Sequence, residues 1–531
     1  VVSGDAEEQA TGGEPDRLAV SATVGGRELR LEPAGENSAG ASFEGRVPLE
    51  NVPLWRVDEP ELLDLAVTVA ATATESERGD TARSEAYGAG ARDRVERRTG
   101  VRSFAAGGGR LLEHGQPIFL AGAGQEFYSP SISPLVDRKA IRERMEALRR
   151  AGFRFYRYHT HVPTPEEAQL ADELGLYLSA EVSVVSNFAQ VKPFDRGLEM
   201  FRAYVYQSRH HASLAVYCLG NEGTKVMVRS ETSREQARVA YDAVRELAPD
   251  CLVMAAFGSQ GELPEQPNDV ESPHLWSHEF RWGHDGLTRV PWWGMRDVLE
   301  RSPALVHEYG KFGVWPDARD ADAHLVDGYH LRPAEDAPVA LEDAGIAVGQ
   351  ARVADVSRAL AATCTRLILE DARRVRGVDG YVLWTFFRMG PRNGGIASDA
   401  GVLDLEPAVL ANATGQVALL SDLGFDRRTV PAGSSMSVEL TIATTDGLEP
   451  SLLEVRVDGS AVTELEVPPV EAGEDLAMEV SVVIPRVREI REVQIAAALH
   501  ADGAPVAART DTVWAIPDHD APREEVVIDA A

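Results

Sequence analysis

The chain has 531 residues, a formal net charge of −31 and 44% hydrophobic residues. That length exceeds what one hydrophobic core supports and points to about two to four domains. The acidity argues against a nucleic-acid partner, which needs a basic patch, and no apolar run approaches the length of a membrane span.

The first residues, 1–17, are rich in Gly, Glu and Asp and read as a flexible segment. They show no basic start followed by an apolar stretch, so no signal peptide is visible; the chain reads as soluble, either cytoplasmic or exported with its signal already removed. Residues 18–104 alternate apolar and polar positions, as in Leu18-Ala-Val-Ser-Ala-Thr-Val24 and Leu63-Asp-Leu-Ala-Val-Thr-Val69. Alternation broken by Gly, Pro and Asn predicts a small antiparallel β-sandwich of the immunoglobulin-like kind.

From 105 to 405 apolar runs alternate with helical patterns. The predicted strands are Pro117–Gly122, Phe153–His159, Gly175–Val182, Ser213–Gly220, Cys251–Gly258, Asp269–Trp276, Ala304–Glu308 and Gly380–Phe387. The predicted helices include Asp137–Ala151, Thr164–Leu174, Asp195–His210, Thr232–Ala248 and Val353–Val375. Ile141, Met145 and Leu148 form one apolar stripe, with Asp137 as N-cap and Gly152 as stop. Eight strands alternating with helices over this length predict a (β/α)8 TIM barrel. Alternation returns over 406–517, as in Ser437-Val-Glu-Leu-Thr-Ile442, and predicts a second β-sandwich; 518–531 reads as a charged tail. The fold class is therefore a multidomain chain, a barrel flanked by β-sandwich domains.

The three cysteines, Cys218, Cys251 and Cys364, are far apart in apolar segments, a pattern of buried thiols rather than of disulfides or zinc. Only Lys139, Lys192, Lys225 and Lys311 are lysines among 53 basic residues. GC-rich coding with a well-solvated surface and adaptation to salt both account for that bias.

Barrel enzymes carry their chemistry at the C-terminal ends of strands. Four predicted strands end in ionisable residues: Arg157-Tyr-His159-Thr-His161 on the second, Glu181 on the third, Asn221-Glu222 on the fourth and His307-Glu308-Tyr309 on the seventh. Two carboxylates across one mouth, about 5–5.5 Å apart, are what retaining glycosidic cleavage requires. Glu222 and Glu308 fit those roles, and Arg157 is placed to hold a carboxylate ionised. Glu181 and Glu126 also lie at strand ends, with substrate binding and structural pairing equally open. No carboxylate and histidine cluster has metal spacing, so neither a metal nor another cofactor is expected.

The run Arg209-His-His-Ala-Ser-Leu-Ala-Val-Tyr-Cys-Leu-Gly-Asn-Glu222 resembles the acid/base signature of glycoside hydrolase family 2, the family of β-galactosidases, β-glucuronidases and β-mannosidases. Pro53-Leu-Trp55 with Glu59-Pro60-Glu-Leu62, Gly100-Val-Arg-Ser-Phe104, Phe153-Arg-Phe-Tyr-Arg157, Val306-His-Glu308-Tyr-Gly310 and Gly380-Tyr-Val-Leu-Trp384 resemble further segments of that family, in consistent order. The resemblance implies Glu308 as nucleophile, Glu222 as acid/base, Asn221 on the sugar 2-hydroxyl, Arg157 orienting Glu308, and Trp384 stacked on the sugar. His159, His161, His274 and Trp276 complete the expected substrate-binding set. Two departures stand out. The family's N-terminal jelly-roll has no counterpart in this sequence, and Pro273-His274-Leu275-Trp276, with His278 and Glu279 beyond, replaces the sixth-strand segment that often carries a Tyr. The resemblance implies an exo-acting retaining β-glycosidase with a carbohydrate substrate, a β-galactoside or β-glucuronide first. An endo-acting glycanase and a non-catalytic carbohydrate-binding relative are the alternatives. A homo-oligomer is compatible with the sequence.

Overall fold

A computed structural model describes residues 18–37, 40–48, 50, 52–71, 92–125, 137–186, 192–255, 268–274, 282–283, 286–287, 302–310, 312–317, 319, 331–387, 395–398, 401–424 and 427–517. Among them no helix is long and apolar enough to cross a membrane. Trp276, His278, Glu279 and Glu126 lie outside the described residues.

Seven parallel strands hydrogen-bond in the order Leu252–Met254, Leu214–Cys218, Tyr177–Glu181, Phe155–Tyr158, Leu120–Gln125, Val378–Trp384 and Ala304–Tyr309. Segment 268–274 spans the gap between the two ends of this sheet. The Asp269 amide donates to the Val253 carbonyl at 3.1 Å, and on the other side the Leu305 and His307 amides donate to Glu271 and Pro273 at 2.8 and 2.7 Å. The ring thereby closes into the (β/α)8 barrel. Of the expected sixth strand, Asp269–Trp276, the described residues 269–274 pair as parallel bridges at Glu271 and His274 rather than as a regular strand. Pro273 between them has no amide hydrogen, so a regular ladder cannot run through the segment.

The first strand also differs from expectation. It runs over Leu120–Gln125 rather than Pro117–Gly122, because Gln116–Pro117 pairs into a separate small sheet with Arg110–Glu113 and Phe104–Gly107. The run Ala121-Gly-Ala-Gly124 looks like a turn, yet packing demands small residues there. A Cβ at Gly122 would stand 2.8 Å from both Phe155 Cδ1 and the Tyr381 carbonyl oxygen, and one at Gly124 would stand 3.0 Å from Trp384 Cζ3. The missing side chains make room for larger neighbours.

The helices form where their caps and stripes place them. Arg138–Arg150 starts at Asp137, whose side chain accepts from the Lys139 and Ala140 amides, and buries Ile141, Met145 and Leu148. Pro165–Leu174 carries a reciprocal Thr164–Glu167 capping box and stops at left-handed Gly175. Phe194–Ser208, Glu231–Leu247 and Gln350–Arg373 match the other expected helices within a few residues. Leu331–Asp343, the short Gly223–Met227 directly after Glu222, and the Pro407–Leu410 and Ala411–Thr414 turns at the start of the trailing domain are not among the expected helices.

Before the barrel, strands Arg27–Leu29, Leu18–Val24, Leu63–Ala71 and Arg92–Thr99 form an antiparallel sheet, beside a Leu31–Asn37/Gly40–Gly45 hairpin. Trp55 links this unit to the barrel: it is fully buried, its indole N–H donates to the Asp172 carbonyl at 2.8 Å, and its ring meets Tyr177 edge-on at 5.1 Å. After the barrel, a three-stranded sheet (Val417–Ser421, Ser435–Thr444, Asp475–Val483) faces a five-stranded one (Thr429–Pro431, Ala504–Ile516, Arg491–Ala501, Ser451–Val457, Ser460–Val467). Leu419, Leu440, Val455 and Leu499 fill the space between them.

Gly380 tests this packing. A Cβ there would lie 2.3 Å from the Leu120 carbonyl oxygen and 2.8 Å from Leu305 Cδ1. Gly380→Ala should destabilise the barrel by about 1–3 kcal/mol, read as a lower urea midpoint. An unchanged midpoint would contradict the register of strands seven, eight and one.

Candidate active site

The second strand reads Phe155-Tyr-Arg157-Tyr158, and all four residues are buried. Burying a guanidinium is costly unless its donors are matched, so the surroundings of Arg157 must supply acceptors. They come from three other strand ends. Nη1 donates to Glu308 Oε1 at 3.1 Å; Nη2 donates to Glu181 Oε2 at 3.2 Å and to Asn221 Oδ1 at 2.7 Å. A planar fork with several N–H groups can serve three such partners, which a lysine cannot do in the same geometry.

Glu222 and Asn221 owe their position to the turn after Leu214–Cys218. Gly220 has φ 145°, and a Cβ on it would sit 2.4 Å from the Val185 carbonyl oxygen, so only glycine fits. Ser186 Oγ donates to the Asn221 carbonyl at 2.8 Å and fixes the turn from the neighbouring strand end. The strand is anchored at its other end by Asp172, which pairs with His211 Nδ1 at 2.6 Å and accepts from the Ser213 amide at 2.7 Å. The His211 of the sequence motif is thus a brace rather than a group of the pocket.

Both candidate carboxylates sit on unusual backbone. Among the described residues six non-glycines have positive φ, and Glu222 and Glu308, each at 50°, are two of them. Such conformations cost about 1–3 kcal/mol each and persist where the surrounding structure enforces them, a frequent property of functional sites.

His274, from the irregular sixth segment, links the pair. Its Nδ1 lies 3.4 Å from Glu308 Oε2 and 4.0 Å from Glu222 Oε1. Those two carboxylate oxygens are therefore no farther apart than the sum of these distances. Burial, then the Arg157 charge, then that of Lys225 push the imidazole well below its ordinary pKa, so the ring is neutral. His159 Nε2 lies 3.8 Å from Glu308 Oε1, and its ring meets Trp384 edge-on at 5.0 Å. The Arg157 guanidinium lies 5.1 Å from the Trp384 ring centre.

The structure therefore brings Arg157, His159, Asn221, Glu222, His274, Glu308 and Trp384 together at one barrel mouth. His161 stands differently: its Nδ1 meets the His159 carbonyl at 2.8 Å and its ring packs edge-on against Tyr158. Three neighbours received no role from the sequence. Glu181 pairs with Arg157. His307, fully buried, lies parallel to His274 with ring centres 6.4 Å apart. Lys225 places Nζ 2.7 Å from Glu222 Oε1. A charge-paired arginine on the adjacent strand was the available signal for Glu181; for Lys225 the only signal was its rarity. Among the described residues no group of three or more His, Cys, Asp or Glu is arranged to hold a metal ion.

No family model matches this chain. A β-galactosidase from Aeromonas hydrophila is 28% identical over 176 residues, which are 32% of this chain and 16% of that one. A β-D-mannosidase from Dictyoglomus thermophilum superposes with a TM-score of 0.64 at 14% identity, over 94% of this chain and 62% of that one. A β-glucuronidase from Parabacteroides merdae gives 0.53 at 15% identity, over 94% and 61%. The chain thus spans less than two thirds of the length of each of these proteins. The fold is shared with the β-D-mannosidase and the β-glucuronidase over 94% of this chain.

Glu181 gives the site a pH signature. Burial pushes its carboxyl from 4.5 up to about 7, against the opposing pull of Arg157. The native state then keeps a proton that the unfolded chain has already lost, so this residue's contribution to stability declines as pH rises from about 4.5 to about 7. Melting temperatures of wild type and Glu181→Gln between pH 5 and 8 should show the variant gaining on wild type as pH rises. A gap independent of pH would contradict the assignment.

Proposed function

We propose that this protein is a retaining exo-β-glycosidase that acts by double displacement, with Glu308 as nucleophile and Glu222 as acid/base. The observation that supports this most is that both carboxylates lie within 4.0 Å of His274 Nδ1, with Arg157 bonded to Glu308 and to Asn221. The closeness of both carboxylates to one imidazole nitrogen is compatible with the ~5–5.5 Å separation of a retaining pair.

In the first step a Glu308 oxygen attacks the anomeric carbon while the bond to the leaving oxygen breaks, and Glu222 gives that oxygen its proton. In the second, Glu222 takes a proton from water, the water oxygen bonds to the anomeric carbon, and Glu308 leaves. Arg157 donates to Glu308 Oε1 and holds the attacking carboxylate in place. Asn221, held by Arg157, is placed to meet the sugar 2-hydroxyl, and Trp384, braced by His159, offers an aromatic face to the sugar. His274 is within reach of both carboxylates and lies against the sugar position. The substrate is a β-linked glycoside. Galactosides and glucuronides are the first candidates, and the named structural relatives add mannosides.

A panel of aryl β-glycosides tests activity and sugar identity together. With a slow fluorosugar of the accepted sugar, wild type should gain the mass of one glycosyl group on the peptide carrying Glu308, and Glu308→Gln should gain none. Label on another residue sinks the nucleophile assignment. Glu222→Ala should lose about 10²–10⁴-fold on substrates with poor leaving groups and far less on activated ones. Equal loss across leaving groups would contradict the acid role.

A further inference from the structure

Lysine is nearly absent from this chain, with four among 53 basic residues, yet one of the four lies at the barrel mouth. Lys225 follows Glu222 by three positions in the short helix Gly223–Met227. Its Nζ is 2.7 Å from Glu222 Oε1, and its side chain is 43% exposed where that of Glu222 is 7% exposed. The ammonium therefore stands at the watery edge of the pocket, against the acid/base carboxyl. Its charge also reaches inward, where it is one of those that keep His274 neutral. The other cation, Arg157, is buried on the nucleophile side and bonded to Glu308, Glu181 and Asn221.

This placement has a direction. Glu222 has to reach the glycosidic oxygen within hydrogen-bonding distance, and that oxygen departs with the leaving group. A cation 2.7 Å from Glu222 Oε1 consequently borders the leaving group rather than the sugar being transferred. The protein carries a net charge of −31, a field that repels anions. A local ammonium offsets that repulsion at one place. A flexible lysine, a compact point charge on a four-carbon stem, can turn from a carboxylate to a nearby anion, which the planar, fixed Arg157 cannot do.

Resting on the glycosidase reading of the site, we infer that Lys225 selects substrates whose leaving group carries an anionic oxygen group, a carboxylate or sulfate, close to the scissile bond. An ordinary surface ion pair three residues apart would make no such distinction, so substrate charge separates the two roles.

The test compares 2-(carboxymethyl)phenyl and 2-(carbamoylmethyl)phenyl β-glycosides of the sugar that the protein cleaves, whose ortho substituents lie beside the scissile bond. The two aglycones match in size and in phenol acidity and differ in charge. At low salt, wild type should favour the carboxylate about three- to tenfold in kcat/KM. Lys225→Gln should bring that ratio to one or below, and Lys225→Arg should restore part of it. A wild-type ratio of one or less overturns the inference without reliance on any variant, and so does a ratio that Lys225→Gln leaves intact. Cleavage of both substrates without charge discrimination removes the role of Lys225 alone. Cleavage of no glycoside of any sugar removes the glycosidase reading, and this inference with it.

Discussion

The site depends on one buried guanidinium. Arg157 is excluded from water and can be accommodated only if acceptors converge on it. Glu181, Asn221 and Glu308 do so from the ends of three different strands. Removing one partner of such a buried pair typically costs about 3–5 kcal/mol because the other charge is stranded. The same contacts set the electrostatics of the mouth. Burial first, and the Arg157 charge second, push the imidazoles of His274 and His307 well below their ordinary pKa.

The rest of the architecture supplies rigidity around that centre. Gly122 and Gly124 clear space for Phe155 and Trp384, so the second strand and the aromatic wall lie close together. Gly220 allows the fourth strand to pass under Val185 and turn Asn221 toward Arg157. At the opposite end, Trp55 and the Asp172–His211 pair lock the leading β-domain and the Pro165–Leu174 helix to the barrel floor. The trailing sandwich is joined through Arg509, which bonds Asp511 at 2.7 Å and reaches Glu370 of the Gln350–Arg373 helix at 3.5 Å. Positive φ at Glu222 and Glu308 is tolerable within such a frame.

Much of this was legible in the residues. Alternation at period two marks the sandwiches, and apolar runs followed by capped amphipathic helices mark the barrel. The strand-end rule gathered Arg157, Asn221, Glu222 and Glu308 among several ionisable groups, and the need for two carboxylates together with the motif resemblance picked them out. What resisted reading depends on neighbours distant in sequence. The first strand is misplaced by three residues because Gly122 and Gly124 signal a turn until Phe155 and Trp384 are known to press on them. Segment 268–274 joins the barrel through isolated bridges, which no periodicity encodes. Glu181 has no defined role until the direction of Arg157 is known. Lys225 looks like any solvated i,i+3 partner until Glu222 is seen at the mouth. His161 belongs to the same motif as His159 but packs on Tyr158, a distinction made by the left-handed backbone at Thr160 between them.

The central claim is that the carboxylates gathered around Arg157 and His274 act in two successive displacements at one anomeric carbon. The stereochemistry of the first-formed sugar tests it most directly. Proton NMR of a β-glycoside digest, followed from mixing and before mutarotation, should show the β-anomer appearing first. First appearance of the α-anomer would mean a single displacement by water and would contradict the account.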